Sequence, residues 1–383
     1  MRAVLIAIPQ AGEAALPVIA GKSLAHRQML FAREAGCETV IAHGNGASPE
    51  GIALRHAAER LGMKFQVIAS THALIGIIGS EDSLLVLERG LLPESRSALD
   101  LLRAEGERVL VVSSGPGAAA GLERIDLDRA WAGALTLPGQ RLGHLAGLPE
   151  DAAPQPALLR IALQNRLPEA RLDDSVLDDG RWTIIETPDE AREHTSSWQR
   201  THLGEAAASQ ISRKIGTALV HRFGERLLAM SHARLGLMAL AVLLVGGGVV
   251  AGIYELPVLG FVLVGLGAPV VEAFLALSRL GEAPFGRIGR WPLIRRLLDA
   301  GLLALGVLAI DSLTHRVLFP PLVLVASLVL LDRKSLPPIL DPLRDRMAIA
   351  LVIAAIAAAV TPEIGIMLVA IAVLAANLLP SRG

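Results

Sequence analysis

From about Leu235 onward the chain is a succession of apolar segments: Leu235–Ile253, Leu256–Leu280, Leu297–Leu313, Val317–Leu331, Met347–Thr361 and Ile364–Leu379. A bilayer core takes about 20 apolar residues of helix to cross, so repeated runs of this kind restrict the region to an all-α membrane bundle. The shorter runs need flanking residues to complete a crossing. Hydrophobic residues make up 52% of the chain but aromatics only 3%, so the excess is aliphatic and glycine-rich, as in packed membrane helices. Basic residues set the orientation. Arg279, Arg287, Arg290, Arg295 and Arg296 cluster at and after the end of the second segment, and Arg333, Lys334, Arg344 and Arg346 follow the fourth. The opposite loops hold little that is basic besides Arg316. The positive-inside rule then places both basic loops in the cytoplasm. Six spans return the C-terminus to the side on which the chain began. The expectation is a multi-pass protein of the inner (cytoplasmic) membrane, with lipid as an obligatory partner.

The first 200 residues follow a different pattern. Short aliphatic runs at Ala3–Ile8, Thr39–His43, Phe65–Ala69, Leu84–Leu87 and Val109–Ser113 read as strands, with helical patterns at Leu24–Ala35, Pro49–Leu61 and Arg96–Glu105 between them. That alternation predicts a largely parallel sheet covered on both faces, with its ligand crevice at the C-terminal strand ends. Arg181–Glu186 reads as a late strand, and Thr187-Pro188-Asp189-Glu190 as the capped start of a helix. The opening run stops at Pro9, so it reads as a first strand and not as a cleavable signal, which leaves this domain in the cytoplasm. A net charge of −1 gives no footprint for nucleic acid. The lone Cys37 excludes an internal disulfide and a cysteine zinc site, and the histidines lack zinc-ligand spacing. His43–Gly46 and Ser114–Gly117 read as turns, since neither carries the Lys-Ser/Thr ending of a P-loop.

Between the two regions, residues 201–234 carry a helical pattern from about Glu205 to Met230. Ile211, Ile215, Leu219, Phe223 and Leu227 recur every four residues, with Arg213, Lys214, His221, Arg222 and Arg226 elsewhere around the helix. Such a segment lies in a membrane interface, cations on headgroups, or else is a solvated linker.

The layout resembles a fusion of a sugar-nucleotidyltransferase-like domain with a six-helix CDP-alcohol phosphotransferase domain, as in enzymes that make CDP-inositol and then a phosphoinositol lipid. Leu16-Pro17-Val18-Ile19-Ala20-Gly21-Lys22-Ser23-Leu24, with the helix and strand that follow, is similar to the first family's opening segment. The stretch from Trp182 through Glu186-Thr187-Pro188-Asp189-Glu190 is similar to its closing one. The resemblance implies an α/β three-layer domain over residues 1–200, a juxtamembrane helix over 201–234 and a six-helix transmembrane bundle over 235–383. In the front domain the phosphate loop of that family corresponds to Gln10–Leu16, which has one glycine and no cation. Only Lys22 matches a basic position, and the family's metal-binding acids correspond to Glu88 and Glu186.

The second family's motif is D-x-x-D-G-x-x-A-R-x8-G-x3-D-x3-D, whose acids hold two divalent ions on a CDP diphosphate. In the best register Glu272, Ala276 and Gly286 match, while Pro269, Leu277, Arg290 and Ile294 stand at the other signature positions. With a gap, Asp299 stands for the last aspartate, the base that deprotonates the attacking hydroxyl. The resemblance therefore implies Glu272 as a metal ligand, Asp299 as the catalytic acid–base, and Arg213, Arg279 and Arg290 as phosphate-binding cations. Ser212-Arg213 resembles the family's motif for holding a phosphorylated alcohol. Mg2+ or Mn2+ would be the cofactor, with a CDP-activated donor and a phosphorylated alcohol as substrates, and a homodimer the assembly. Gly246-Gly247-Gly248 permits close helix packing. Read from the residues alone, Glu272 is either part of a metal or phosphate site or paired internally with Arg279 or a loop arginine. Asp299 lies at a helix end from which water is within reach. Two functions stay open at this point: a phosphotransferase of phospholipid head-group synthesis, and a catalytically silent paralogue that binds lipid or nucleotide or supports an active partner.

Overall fold

A computed structural model of the chain describes residues 1–149, 152–203, 210–230, 232–282, 284–285, 291–334 and 337–379. It falls into two compact units, Met1–Ser197 with Pro284–Gly286, and Trp198–Ala283 with Arg287–Gly383.

The first unit opens with β1 (Arg2–Ala7), the short hairpin strands β2 (Val18–Ile19) and β3 (Lys22–Ser23), and α1 (Leu24–Glu34). Next come β4 (Thr39–His43), α2 (Pro49–Arg60), β5 (Lys64–Ile68), α3 (Ala73–Ile77), β6 (Ser83–Leu87) and β7 (Leu91–Pro93). They are followed by α4 (Arg96–Arg103), β8 (Arg108–Ser113), α5 (Ser114–Ala119), β9 (Arg129–Pro138) and α6 (Pro154–Gln164). The series ends with β10 (Glu169–Arg171), α7 (Ser175–Asp178), β11 (Trp182–Ile184) and α8 (Pro188–Leu203). Seven strands form one sheet in the order β10-β8-β9-β6-β1-β4-β5, and β11 pairs with β7 in a separate ribbon. Strand β1 shows why the sheet has two covered faces. Val4 and Ile6 enter one apolar cluster with Phe31 and Trp182, and Ala3 and Leu5 enter the other with Trp131 and Leu158. A strand buried on both sides has no polar face to show, hence the unbroken aliphatic runs.

The sheet is mixed. Strand β9 runs antiparallel to both β6 and β8 in a sheet otherwise parallel, as the largely parallel pattern predicts, but β9 itself is not among the strands read from the sequence. Its residues, Arg-Ala-Trp-Ala-Gly-Ala-Leu-Thr-Leu-Pro, are poor in β-branched side chains, and its burial on both faces removes the alternation that would reveal it. Ser114–Gly117 likewise differs from expectation, forming the first turn of α5 and not a loop. Thr187 caps α8 as expected: its Oγ1 accepts from Glu190 N at 3.2 Å, and Glu190 Oε2 accepts in return from Glu186 N at 3.0 Å.

The second unit is helical: α9 (Ile211–Ala229), α10 (Ala233–Ile253), α11 (Pro257–Glu282), α12 (Arg295–Leu308), α13 (Thr314–Leu331), α14 (Arg346–Ala359) and α15 (Pro362–Leu378). Two of these, over Ala233–Ile253 and Pro257–Leu280, are long and apolar enough to cross a membrane; Val317–Leu331, Arg346–Ala359 and Pro362–Leu378 are shorter apolar helices. Phe261, Leu305, Leu328, Ile353 and Val373 bring α11 to α15 into one buried cluster. The part of the juxtamembrane pattern at residues 204–209 lies outside the described residues. Over α9, the stripe Ile211, Ile215, Leu219 and Phe223 faces outward, each residue at least 37% exposed. The helix packs instead through Ser212, Gly216, Thr217 and Val220. At Gly216 any Cβ would sit 2.8 Å from both Ala273 N and the Glu272 side chain, so α9 meets α11 almost backbone to backbone.

The bend after β4 depends on Gly44, whose φ is +142° and whose missing Cβ would strike the carbonyl of Ile8. Gly44→Ala should cost about 1–3 kcal/mol, measurable as a lower midpoint in urea unfolding followed by tryptophan fluorescence.

Candidate functional site

Each unit gathers charge at one place. In the first, the C-terminal end of β6 delivers Glu88 into a cavity of about 170 Å3 that Arg89, Glu123, Gly133 and Glu186 also line. The two acids that the resemblance singles out, Glu88 and Glu186, thus face the same space. Glu123 joins them from the stretch after α5, where no sequence motif marks it. Burial pushes the Glu88 carboxyl up to about 7; the charges of Glu123 and Glu186 add to this, and the N–H of Arg89, donating at 3.0 Å, opposes it. Arg89 itself turns away to Glu13 of the loop after β1, at 2.8 Å. That contact, with the N–H of Gln10, holds the Glu13 carboxyl below its ordinary range. The cation that lines the cavity is therefore already matched by an acid from the loop after β1. Lys22 sits in the β2–β3 hairpin and does not line the cavity. A larger neighbouring cavity, about 610 Å3, shares Glu123 and Pro156 but is otherwise walled mainly by apolar residues of α6 and the segment before it.

In the second unit the expected acids are buried, Glu272 at 8% and Asp299 at 3% exposure. Both are closed by arginine. Arg295, at the start of α12, donates from Nε to Glu272 Oε1 at 2.7 Å and from Nη2 to Oε2 at 2.8 Å, a two-pronged fork. Of the partners open to Glu272 in the sequence, a loop arginine is the one that takes it. Asp299 does not reach water: Arg346 Nε donates to its Oδ1 at 3.0 Å and Arg296 Nη1 to its Oδ2 at 2.7 Å. Arg346 also forks onto Asp332, at 2.7 and 2.8 Å, so one guanidinium ties the ends of α12, α13 and α14. Asp332 and Arg346 carry no motif that assigns them this role.

Arg213 lies on α9 and Arg279 on α11, the helix that carries Glu272. Gly216 seats α9 against Glu272 one turn from Arg213, and Arg279 lies in the combined field of Arg213, Arg295 and Glu272. Arg290 lies outside the described residues, as do Arg287 and Gly286. The structure thus joins Glu272 to Arg295, puts Arg279 within electrostatic reach of both and of Arg213, and gives Asp299 a different set of partners. The donor set does not fit a pair of divalent ions. Both carboxylates already have their charge answered by guanidinium groups, and no three His, Cys, Asp or Glu side chains converge on a metal position among the described residues.

No protein-family model matches the sequence, and no curated protein matches it. Among solved structures, the chain is similar to the inositol-1-phosphate CTP transferase from T. maritima, with 13% identity over 49% of this chain and 90% of that one, at a TM-score of 0.35.

Two outcomes follow from the charges. The folded-state pKa of Glu88 lies above its ordinary 4.5, so its stabilising contribution is complete below about 4.5 and is lost as pH rises through about 7. Wild type should lose up to about 3 kcal/mol across that window relative to Glu88→Gln in chemical denaturation at stepped pH. Arg346→Ala leaves the buried Asp299 with Arg296 as its remaining arginine partner and takes the fork from Asp332, and should cost about 3 kcal/mol, read as a lower Tm.

Proposed function

We propose that this chain is a membrane-embedded relative of the CDP-alcohol phosphotransferases that binds a phosphate-bearing ligand and has lost metal-dependent transfer. The observation that carries this reading is the fork from Arg295 onto Glu272. Where a transferase needs free carboxylates to hold metal against a diphosphate, this bundle has ion pairs. What it retains is an excess of cation: Arg213, Arg279 and Arg295 against Glu272 among the described residues. Guanidinium groups are suited to phosphate, which they grip in the same two-pronged way as carboxylate.

In this reading α10 to α15 span the inner membrane, and the front unit and C-terminus face the cytoplasm. Outward apolar side chains support it: Leu243 at 70%, Phe319 at 68% and Ile371 at 64% exposure make a surface that water tolerates poorly and lipid does not. The α9 stripe beside Arg222 and Arg226 suits the headgroup layer. The ligand belongs to phospholipid head-group chemistry: a phosphatidyl group, a phosphorylated alcohol or the diphosphate of a CDP-activated donor. The front unit repeats the logic, with Glu13 matched to Arg89 where a triphosphate would need the cation.

The test is direct. Full-length protein in detergent, given CDP-activated donors with Mg2+ or Mn2+, should release no CMP, yet should bind phosphate-bearing ligands about tenfold more weakly after Arg279→Gln. CMP release that disappears in Glu272→Ala or Asp299→Ala would overturn the proposal and restore the transferase.

A further inference from the structure

Among the described residues, Arg213, Arg279 and Arg295 act on one another and on Glu272 across α9, α11 and the start of α12, which raises the question of what neutralises them before a ligand arrives. Arg213 Nε is buried and has no hydrogen-bond partner. Asp345, the other acid near this end of α9, is committed to backbone. Its Oδ2 accepts from Ser212 N at 2.7 Å and its Oδ1 from Met347 N at 2.9 Å. Glu272 alone is engaged by a side chain of the cluster, through the geometry in which an arginine takes phosphate. Like charges in a partly desolvated site repel strongly, so the arrangement requires an anion at all times.

Resting on the reading that this cluster binds phosphate, we infer that Glu272 is the built-in counter-anion of the site. It occupies Arg295 while the site is empty and yields Arg295 to the incoming phosphate. Ligand binding is then an exchange of one anion for another on the same guanidinium. Glu272 lies on α11 where Gly216 lets α9 approach most closely, so the exchange takes place at the contact between the interfacial helix and the bundle. The carboxylate acts as a competitor, and it sets a threshold. Only a ligand presenting two or more phosphate oxygens with more than one negative charge replaces both of its hydrogen bonds and also satisfies Arg213 and Arg279.

This assignment has a sign opposite to that of a metal ligand. Removing a carboxylate that holds a bridging metal weakens phosphate binding, whereas removing a competitor strengthens it. The experiment is calorimetric titration of the full-length protein in detergent with EDTA present. Inorganic diphosphate is the free-anion probe, and mixed micelles carrying short-chain phosphatidic acid, against phosphatidylcholine, are the lipid probe. Glu272→Gln should lower Kd for the probe that binds by about tenfold, equivalent to about 1.4 kcal/mol. Glu272→Asp, whose shorter arm loosens the fork, should lower it by a smaller factor, and this variant carries the test if the amide variant does not fold. An unchanged or raised Kd in both variants overturns the counter-anion assignment. If wild type binds neither probe, it is the phosphate-site reading that fails. If Arg279→Gln abolishes binding while the Glu272 variants leave it untouched, that reading stands and the exchange does not.

Discussion

The pairing of buried carboxylates with arginine is the constraint on which the helical unit depends. An acid inside an apolar bundle is costly unless its charge is answered nearby, and two answers are available, a metal ion or a guanidinium. Here guanidinium takes both acids. Arg295 comes from the residue that opens α12 and reaches α11, while Arg346 opens α14 and reaches α12 and the end of α13. The helix ends are consequently held by directed, charge-assisted bonds, and the apolar interior around Phe261, Leu305 and Ile353 packs below them.

The same substitution of charge appears in the first unit with different residues. Glu13 answers Arg89, and three glutamates border a cavity with no spare cation among its lining. A triphosphate entering such a space would meet repulsion from Glu88, Glu123 and Glu186. The rise of Glu88 to about 7 is the local sign of that crowding. In each unit, then, a cation that could have met a phosphate is answered by an acid of the same chain: Arg89 by Glu13, and Arg295 by Glu272.

Much of this was legible in the sequence. The aliphatic runs of the parallel strands and the capping box at Thr187 carry periodic or positional signals and became the elements expected, while the apolar segments became helices of which Ala233–Ile253 and Pro257–Leu280 are long and apolar enough to cross a membrane. Strand β9 carried none, because alanine and glycine buried on both faces leave neither alternation nor β-branching to read. Within the sites, the identity of the acids could be read but their partners could not. Glu272 and Asp299 announce themselves as charges in apolar surroundings. That Arg295 takes the first, and that Arg346 serves Asp299 and Asp332 together across 47 and 14 residues of chain, depends on which helix ends meet. Arg346 in sequence is one more of the basic residues that follow the fourth apolar segment. Asp299 was expected near water because it lies close to a helix start, and it is buried because two arginines fold over it.

One contact outside the charge cluster bears on how this unit responds to its surroundings. The carboxylate of Asp345 caps α14 and at the same time receives the backbone N–H of Ser212, four residues before the close approach at Gly216. Helix α9 is therefore pinned near its first turn, with its apolar stripe turned away from the bundle. Any displacement of the first turn of α9 therefore reaches the capped start of α14 directly, because a single carboxylate serves the backbones of both helices.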